Sequence, residues 1–231
     1  MTESVTFLPK KRPPTAKIKL IEAGVRLFTR QEGRGLTSRE LAREAKVNHA
    51  LISYHFGGMA ELMAEVVERC IQDLRARFLL QVEQFEADVR NAGPGRVDRL
   101  LRDHVAVLFE ILAGPDGEAL LKAFSSPEAA ALHGVYGRFS ERVLQPLHHS
   151  FAVTAATVRG IPKNGLEAAV LGQCMTAQCL AFFRGAPTVL GYLDKKTFTA
   201  KDKANISRIV AESLCRTAGT IPLPDGLPLK R

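Results

Sequence analysis

The stretch TSRELAREAKVNHALISYHFGGMAEL, residues 37–62, decides the fold because it holds the start and stop signals of two short helices. Thr37 is followed three residues later by Glu40, the spacing of a capping box, which predicts a helix start. Asn48 is the predicted cap of the second helix, and Gly57 is its predicted end. Two short helices joined by a tight turn form a helix-turn-helix, whose second helix can lie in the major groove of DNA.

Helical spacing divides the second short helix into an inward face and a polar face. The residues predicted to pack inward are Val47, Ile52 and Phe56. His49 and Ser53 are four residues apart and share the outward face, where short side chains let the backbone approach the base edges. Tyr54 and His55 lie at the helix end and can reach phosphates through a hydroxyl and an imidazole N–H. The alternative for each of these polar side chains is an ordinary solvent-exposed position.

The flanking sequence predicts an all-α chain, since helical periodicity recurs and no strand-like alternation persists. A first helix is predicted within residues 15–33, with Thr15 as its cap and Gly33 as its stop. A long helix follows from Met59 to about Val89 and is interpreted as a connector between two domains. The remaining helices are predicted at about residues 96–113, 117–124, 127–151, 163–183 and 201–218, separated by breaks that contain Gly or Pro.

Positive charge is concentrated near the N-terminus. Residues 1–60 contain 11 Lys and Arg against five Asp and Glu, and the whole chain has a formal net charge of +8. Such an excess indicates a polyanion partner, either nucleic acid or an anionic membrane surface, although a solvated surface has the same composition. Residues 1–13 are a predicted basic, flexible arm whose Lys10, Lys11 and Arg12 can contact DNA phosphates or a minor groove. A solubilising tail is the alternative.

The sequence lacks the motifs of common catalytic centres. It has no HExxH, GxSxG, P-loop or GxGxxG pattern, so neither an enzyme activity nor a cofactor is predicted. The four cysteines lack the dense spacing of a disulfide scaffold or a CxxC metal site and are interpreted as reduced thiols. Cys174 and Cys179 are five residues apart on a predicted helix, which disfavours a shared metal. The chain start lacks the apolar segment of a signal peptide, and the longest uncharged run, residues 168–183, is short for a membrane span. A cytoplasmic location without a membrane partner is predicted.

Residues 14–74, with the helix-turn-helix at about 37–56, resemble the N-terminal DNA-binding domain of TetR-family transcriptional repressors. The matching elements are AGVRLFTRQEG (residues 23–33), LTSRELAREAKV (36–47) and ISYHFGGMAEL (52–62). Further along the chain, RVLQPL (142–147) and GQCMTAQCLAFFRGAPTVLGYL (172–193) are similar to the subgroup with a CerR-type C-terminal domain.

The resemblance implies a homodimer of two-domain helical subunits. The N-terminal three-helix domain would bind a double-stranded DNA operator. The larger helical domain, residues 75–220, would dimerise and bind a small-molecule effector that releases the DNA, and residues 221–231 are a Pro-rich tail. The family makes its dimer interface from the last two helices, which here correspond to segments 168–183 and 203–218; monomer core is the alternative for both.

The predicted DNA contacts are Lys17, Ser38, Arg39, Lys46, Asn48, His49, Ser53, Tyr54 and His55. Two positions depart from the family pattern. Lys46 stands where the family usually has Gly, which predicts a slightly different turn with an added charge near the DNA backbone. Met59 stands where the family usually has Lys, so one phosphate contact is expected to be missing.

The segment after residue 75 is nearly balanced in charge and carries most of the aromatic side chains, which suits a helical domain with an apolar effector pocket. The candidate lining residues are His104, Phe124, His133, Tyr136, Phe139, Gln173, Gln178 and Phe182. Core packing is the alternative for each of them.

These observations predict a DNA-binding transcriptional regulator, a repressor that a small-molecule effector releases from a palindromic operator. One alternative is a helical enzyme or small-molecule carrier whose helix-turn-helix-like segment is only structural. Another is an architectural DNA-binding protein without ligand control. The large charge-balanced domain argues against this last alternative, because purely electrostatic binding does not need it.

Overall fold

The computed structural model describes residues 15–30, 36–93, 95–117, 119–120 and 133–221, and every regular element within these ranges is helical. The prediction of an all-α chain is therefore confirmed. The helices are α1 (Ala16–Arg30), α2 (Ser38–Ala45), α3 (Ala50–Phe56), α4 (Met59–Asn91), α5 (Val97–Leu112), α6 (His133–Phe139), α7 (Gln145–Arg159), α8 (Leu166–Tyr192) and α9 (Ala200–Ala218). A π-helical segment, Ser140–Leu144, joins α6 to α7 without a break.

The predicted capping box begins α2. The Thr37 hydroxyl accepts a hydrogen bond from the Glu40 amide at 3.3 Å, and the Glu40 carboxylate accepts one from the Thr37 amide at 2.9 Å. These hydrogen bonds from Thr37 hold the pKa of Glu40 below its ordinary value. A second capping box, Thr199 with Asp202, begins α9 and was not predicted, although the same spacing is visible in the sequence.

The first three helices pack on the N-terminal half of α4. Leu20 and Phe28 of α1, Leu41 of α2, Ile52 of α3 and Leu62 of α4 are all buried in one apolar cluster. The predicted inward position of Ile52 is thereby confirmed, and Val47 and Phe56 are partly buried against the same cluster. In the resulting small domain, the short helix α3 contacts both α1 and α4.

The larger helical domain packs along α4. Helices α5 and α7 pack on α4, α8 packs on α7, and α9 packs on α5 and α8. At Gly172 of α8, an added Cβ atom would lie only 2.8–2.9 Å from Ala152 Cβ, Ala152 N and His148 O. Helices α7 and α8 therefore cross with their backbones almost in contact.

Two predicted helix ends were wrong. The helix predicted to end at residue 151 runs to Arg159, because residues 151–156 are all buried and show no polar face that would mark its continuation. The helix predicted to end at residue 183 is assigned as far as Tyr192, with Pro187 inside it. The predicted break is present as a bend of 58° between Leu166–Phe182 and Gly185–Tyr192. Proline causes such bends because it has no N–H for the carbonyl four residues earlier.

Other predicted segments lie outside the described residues, namely the basic arm, Gly33, residues 121–132 and most of the Pro-rich tail. Within the described ranges, no single helix is both long and apolar enough to cross a membrane. The two parts of α8 on either side of its bend have the length and apolar composition of a membrane span only when they are taken together.

Replacing Gly172 tests the close crossing of α7 and α8. Gly172→Ala should lower the free energy of unfolding by about 1–3 kcal/mol, since the added methyl group meets backbone that cannot move aside cheaply. Gly137→Ala is the matched control, because an added Cβ there meets no atom within 4 Å and helix α6 should gain about 0.5–1 kcal/mol from the better propensity. Urea unfolding followed by circular dichroism measures both. Equal effects of the two substitutions would contradict the crossing geometry.

Candidate functional site

The turn between α2 and α3 is closed by backbone hydrogen bonds. Lys46 adopts the left-handed conformation, with φ of 55° and ψ of 46°, and its N–H donates to Arg43 O at 3.2 Å. The next amide, Val47 N–H, donates to Ala42 O at 3.0 Å. Glycine is usual in such a position, and a side chain costs about 1–2 kcal/mol there. Lys46 thus closes the turn in a conformation that suits glycine and adds an exposed charge to it.

Helix α3 starts from an Asn48 hydrogen bond. The Asn48 Oδ1 atom accepts from the Ala50 amide at 2.9 Å, so the predicted capping function of Asn48 is present. His49 occupies the position just before the helix and makes no capping bond with its side chain. Gly57, with φ of 89°, ends the helix, and its N–H donates to Ser53 O. The seven-residue helix is therefore fixed at both ends by local signals.

Helix α3 presents its polar side chains to solvent. Ile52 is buried, and Val47 and Phe56 are half-buried against the core, as predicted. The exposed group consists of His49, Ser53 and Tyr54, and the ring of Tyr54 is 80% exposed. His55 is half-buried, and its ring lies edge-on to Tyr54 with the centroids 4.9 Å apart. Three of the side chains predicted to read and contact DNA are thus exposed in the described part of the chain.

The remaining predicted DNA contacts are on α1 and α2, where their surroundings differ. Ser38 and Arg39 are in the first turn of α2, where backbone amides lack partners within the helix, and Arg39 is exposed. Lys17 instead pairs with Glu65 Oε1 at 2.9 Å, and its Nζ lies 5.2 Å from the centre of the Phe56 ring. A phosphate would have to compete with Glu65 for Lys17. The structure therefore gives Lys17 a packing contact that the sequence did not indicate.

The family model described as "Bacterial regulatory proteins, tetR family" matches residues 20–66, which include the helix-turn-helix and the start of α4. A curated relative, the HTH-type transcriptional dual regulator CecR of Shigella flexneri, is 27% identical over 177 residues, 76% of this chain and 78% of that protein. Residues 20–66 therefore form a TetR-type helix-turn-helix domain. The similarities support a DNA-binding transcriptional regulator with the N-terminal helix-turn-helix domain and helical C-terminal domain predicted from the sequence.

Two further similarities agree with the family. The HTH-type transcriptional repressor SCO4008 of Streptomyces coelicolor is 32% identical over 94 residues, 41% of this chain and 45% of that protein. A solved structure from Mesorhizobium loti, described as a TetR-family transcriptional regulator, aligns with a TM-score of 0.57 at 17% identity. That alignment covers 87% of this chain and 95% of the other, so the similarity of fold includes both domains. The CerR-type subgroup stays a prediction.

The candidate effector residues do not form one site. Tyr136 and Gln173 line the same cleft, of about 590 Å³, between the segment 136–148 and α8. Its other lining residues are Ser140, Leu144, Gln145, His148, Thr176, Ala177, Leu180 and Ala181. These were not predicted individually, although the four-residue spacing of Tyr136, Ser140, Leu144 and His148 could have indicated one helix face.

The other candidates lie elsewhere. Phe139 is buried in the core, and Phe182 is half-buried against it. Gln178 faces α9, where its Nε2 donates to Thr217 Oγ1 at 3.0 Å. Phe124 and the side chain of His133 lie outside the described part of the chain. Within the described ranges, no three His, Cys, Asp or Glu side chains come together as metal ligands.

His104 is a buried histidine between two aromatic rings. Its ring stacks on Phe85 with centroids 3.9 Å apart and lies edge-on to Phe151 at 5.9 Å. Neither ring nitrogen has a hydrogen-bond partner within the structure described. Burial lowers the pKa of His104 to about 3, so the ring is neutral at physiological pH. His104 therefore belongs to the aromatic core instead of the cleft.

The pKa of His104 makes stability depend on pH. Between about pH 6.5 and 3 the unfolded chain binds a proton that the folded chain does not, so acidification destabilises the fold by up to about 1.4 kcal/mol per pH unit through this group. His104→Phe should reduce the loss of stability between pH 7 and pH 5 by about 2 kcal/mol. Urea unfolding at both pH values measures it. The exposed His49→Ala is the control, and an unchanged pH dependence in His104→Phe would contradict the neutral, unpartnered ring.

Proposed function

We propose that this regulator is a homodimeric repressor in the cytoplasm that binds a near-palindromic operator through α3 and leaves it when a small-molecule effector binds the C-terminal domain. The observation that carries the proposal is the exposed surface of His49, Ser53 and Tyr54 on a helix whose other face is packed. Paired copies of such a helix read two half-sites in adjacent major grooves. In an enzyme or carrier, these polar side chains would be ordinary solvent-exposed positions.

Helix α8 supplies the support for a dimer. Leu166 is 81% exposed and Val170 is 52% exposed, and Cys174 and Ala177 continue the same exposed face at helical spacing. The opposite face of α8 is buried in the monomer. A surface of apolar and small residues on an ordered helix is characteristic of subunit interfaces. A second copy of α8 would cover it.

The effector is proposed to bind the cleft lined by Tyr136 and Gln173. Its volume of about 590 Å³ is in the range of small-molecule sites. The lining combines hydroxyl, amide and imidazole groups with Leu144 and Leu180, and none of the described residues in it is Asp, Glu, Lys or Arg. A small uncharged molecule with hydrogen-bonding groups suits this lining. Gln173 belongs also to the exposed face of α8, so a dimer partner would border the cleft.

Substitutions on α3 and in the turn separate base reading from phosphate contact. The operator is the duplex that the unsubstituted protein selects from a random DNA pool. His49→Ala and Ser53→Ala should change base preference, and His49→Ala should lose about 1–3 kcal/mol at the best site. Tyr54→Phe should weaken operator and scrambled DNA alike, if its hydroxyl contacts phosphate. Fluorescence anisotropy with both duplexes measures these effects.

Lys46→Gly is the matched control for the turn. Glycine accepts the left-handed conformation of residue 46 without strain, so that this variant removes a charge and keeps the geometry. Both DNAs should bind more weakly, with a salt dependence lower by about one unit per site. If folded His49→Ala and Ser53→Ala proteins keep the affinity and base ranking of the unsubstituted protein, α3 does not read the operator.

A charge on the exposed face of α8 tests the dimer. Val170→Asp should convert the dimer to monomer at micromolar concentration, because two carboxylates would face each other in an apolar contact. Leu80→Asp is the control, since Leu80 is 72% exposed on α4 and undergoes the same chemical change away from α8. Sedimentation equilibrium gives the mass of each variant. A dimer that survives Val170→Asp would exclude this face as the interface.

A further inference from the structure

Three charged side chains join α4 to the helix that lines the cleft. The Glu68 carboxylate of α4 accepts hydrogen bonds from the guanidinium groups of Arg138 and Arg142, one on each oxygen. The Glu68 side chain is only 18% exposed. Burial alone would raise the pKa of Glu68, but the hydrogen bond and charge of Arg138 and the charge of Arg142 together hold it below its ordinary value. The carboxylate is ionised at neutral pH and shielded better than a surface ion pair.

The two arginines belong to an irregular part of their helix. Arg142 lies within the π-helical segment and Arg138 lies just before it. A π segment is rare and is frequently found at functional sites. Tyr136, Ser140 and Leu144 of this same stretch line the cleft. One helical stretch thus contacts the proposed effector site and the carboxylate on α4.

The neighbouring turn of α4 contacts the DNA-binding domain. Glu65, three residues before Glu68, pairs with Lys17 of α1 at 2.9 Å. Val66 touches α1 so closely that a Cβ on Gly24 would lie 2.3 Å from Val66 Cγ2. Residues 65–68 therefore hold both the DNA-binding domain and the cleft helix within one helical turn.

We propose that Glu68 is a positioning residue for DNA binding, whose carboxylate fastens α4 to Arg138 and Arg142 and so fixes the helix-turn-helix in the arrangement that binds the operator. The proposal rests on the proposed function, since it takes operator binding by α3 as given. A shift of the π segment on effector binding would move both arginines and release the carboxylate. The energy of this three-residue contact then couples the cleft to the DNA surface.

Neutralising Glu68 tests the contact without knowledge of the effector. Glu68→Gln keeps the size of the side chain and removes its charge. Operator affinity should fall about fivefold or more, the lower end of allosteric couplings, while scrambled DNA should bind as before. Asp73→Asn is the matched control, because Asp73 pairs with Arg69 of α4 itself at 3.2 Å and, within the described ranges, forms no ion pair with a second helix. Thermal melting of both variants checks that they fold alike.

A double-mutant cycle distinguishes the contact from a local effect of residue 68. Arg138→Gln with Arg142→Gln should reproduce the weakened operator binding. Adding Glu68→Gln to that background should change the affinity less than about twofold, because the interaction is already absent. Effects of Glu68→Gln that add in full to those of the arginine variants would overturn the proposal.

Hydrogen exchange supplies a readout that needs no DNA. In Glu68→Gln, amides of residues 38–66 should exchange faster than in the unsubstituted protein and in Asp73→Asn. If the unsubstituted protein binds no DNA yet this exchange increases, the proposed function fails and the mechanical link stands. Unchanged exchange, or operator binding by Glu68→Gln that is equal to or tighter than that of the unsubstituted protein, would overturn the assignment of Glu68.

Discussion

The packing of α1 against the N-terminal half of α4 is the contact on which the rest of the structure depends. Gly24 of α1 allows the two helices to approach until Val66 fills the space that a side chain would take. Helices α2 and α3 are too short to be stable alone, and they gain their stability from this pair through Leu41 and Ile52. The exposed surface of α3 is therefore oriented by an apolar contact that lies on its opposite side.

The length and continuity of α4 make it a mechanical element between the domains. It has 33 residues without Gly or Pro, which corresponds to about 50 Å of uninterrupted helix. Kinks need a cause such as proline, a π segment or an inserted side chain, and α4 contains neither of the first two along its length. A displacement of α4 by the larger domain would therefore reach the end of the helix where α1 and α3 are packed. The irregular backbone lies instead in the helix opposite, at Ser140–Leu144.

The sequence predicted the N-terminal domain well because its signals are local. The Thr37–Glu40 box, the Asn48 turn and the Gly57 end each involve residues within a few positions of one another. The end of α7 could not be predicted in this way, since Phe151 to Ala156 are enclosed by other helices and lose the polar stripe on which periodicity depends. Pro187 is a sound signal for irregularity, but it bends α8 instead of ending it.

The lining residues of the effector pocket were harder to predict, because the type of a residue does not show how deeply its side chain is buried. His104 and Phe139 have the side chains of a pocket, yet tertiary packing places them in the core. Periodicity identifies a face of one helix, whereas a cleft needs two helices in a definite register. That register is set by Gly172, whose backbone contact with α7 brings Gln173 opposite Tyr136. Only the three-dimensional crossing of α7 and α8 contains this information.

Departures from what stability alone would favour coincide with the proposed functional surfaces. Lys46 takes a conformation that suits glycine, Tyr54 and Val170 are largely exposed apolar side chains, and the π segment interrupts an otherwise regular helix. Each feature disfavours the isolated subunit slightly, in a fold that is otherwise locally consistent. Each is explained by a second component, since a phosphate would satisfy Lys46, a partner subunit would cover Val170, and a ligand would select one register of the π segment. The proposed function thus makes the subunit one part of a complex with DNA, a second copy and a small molecule.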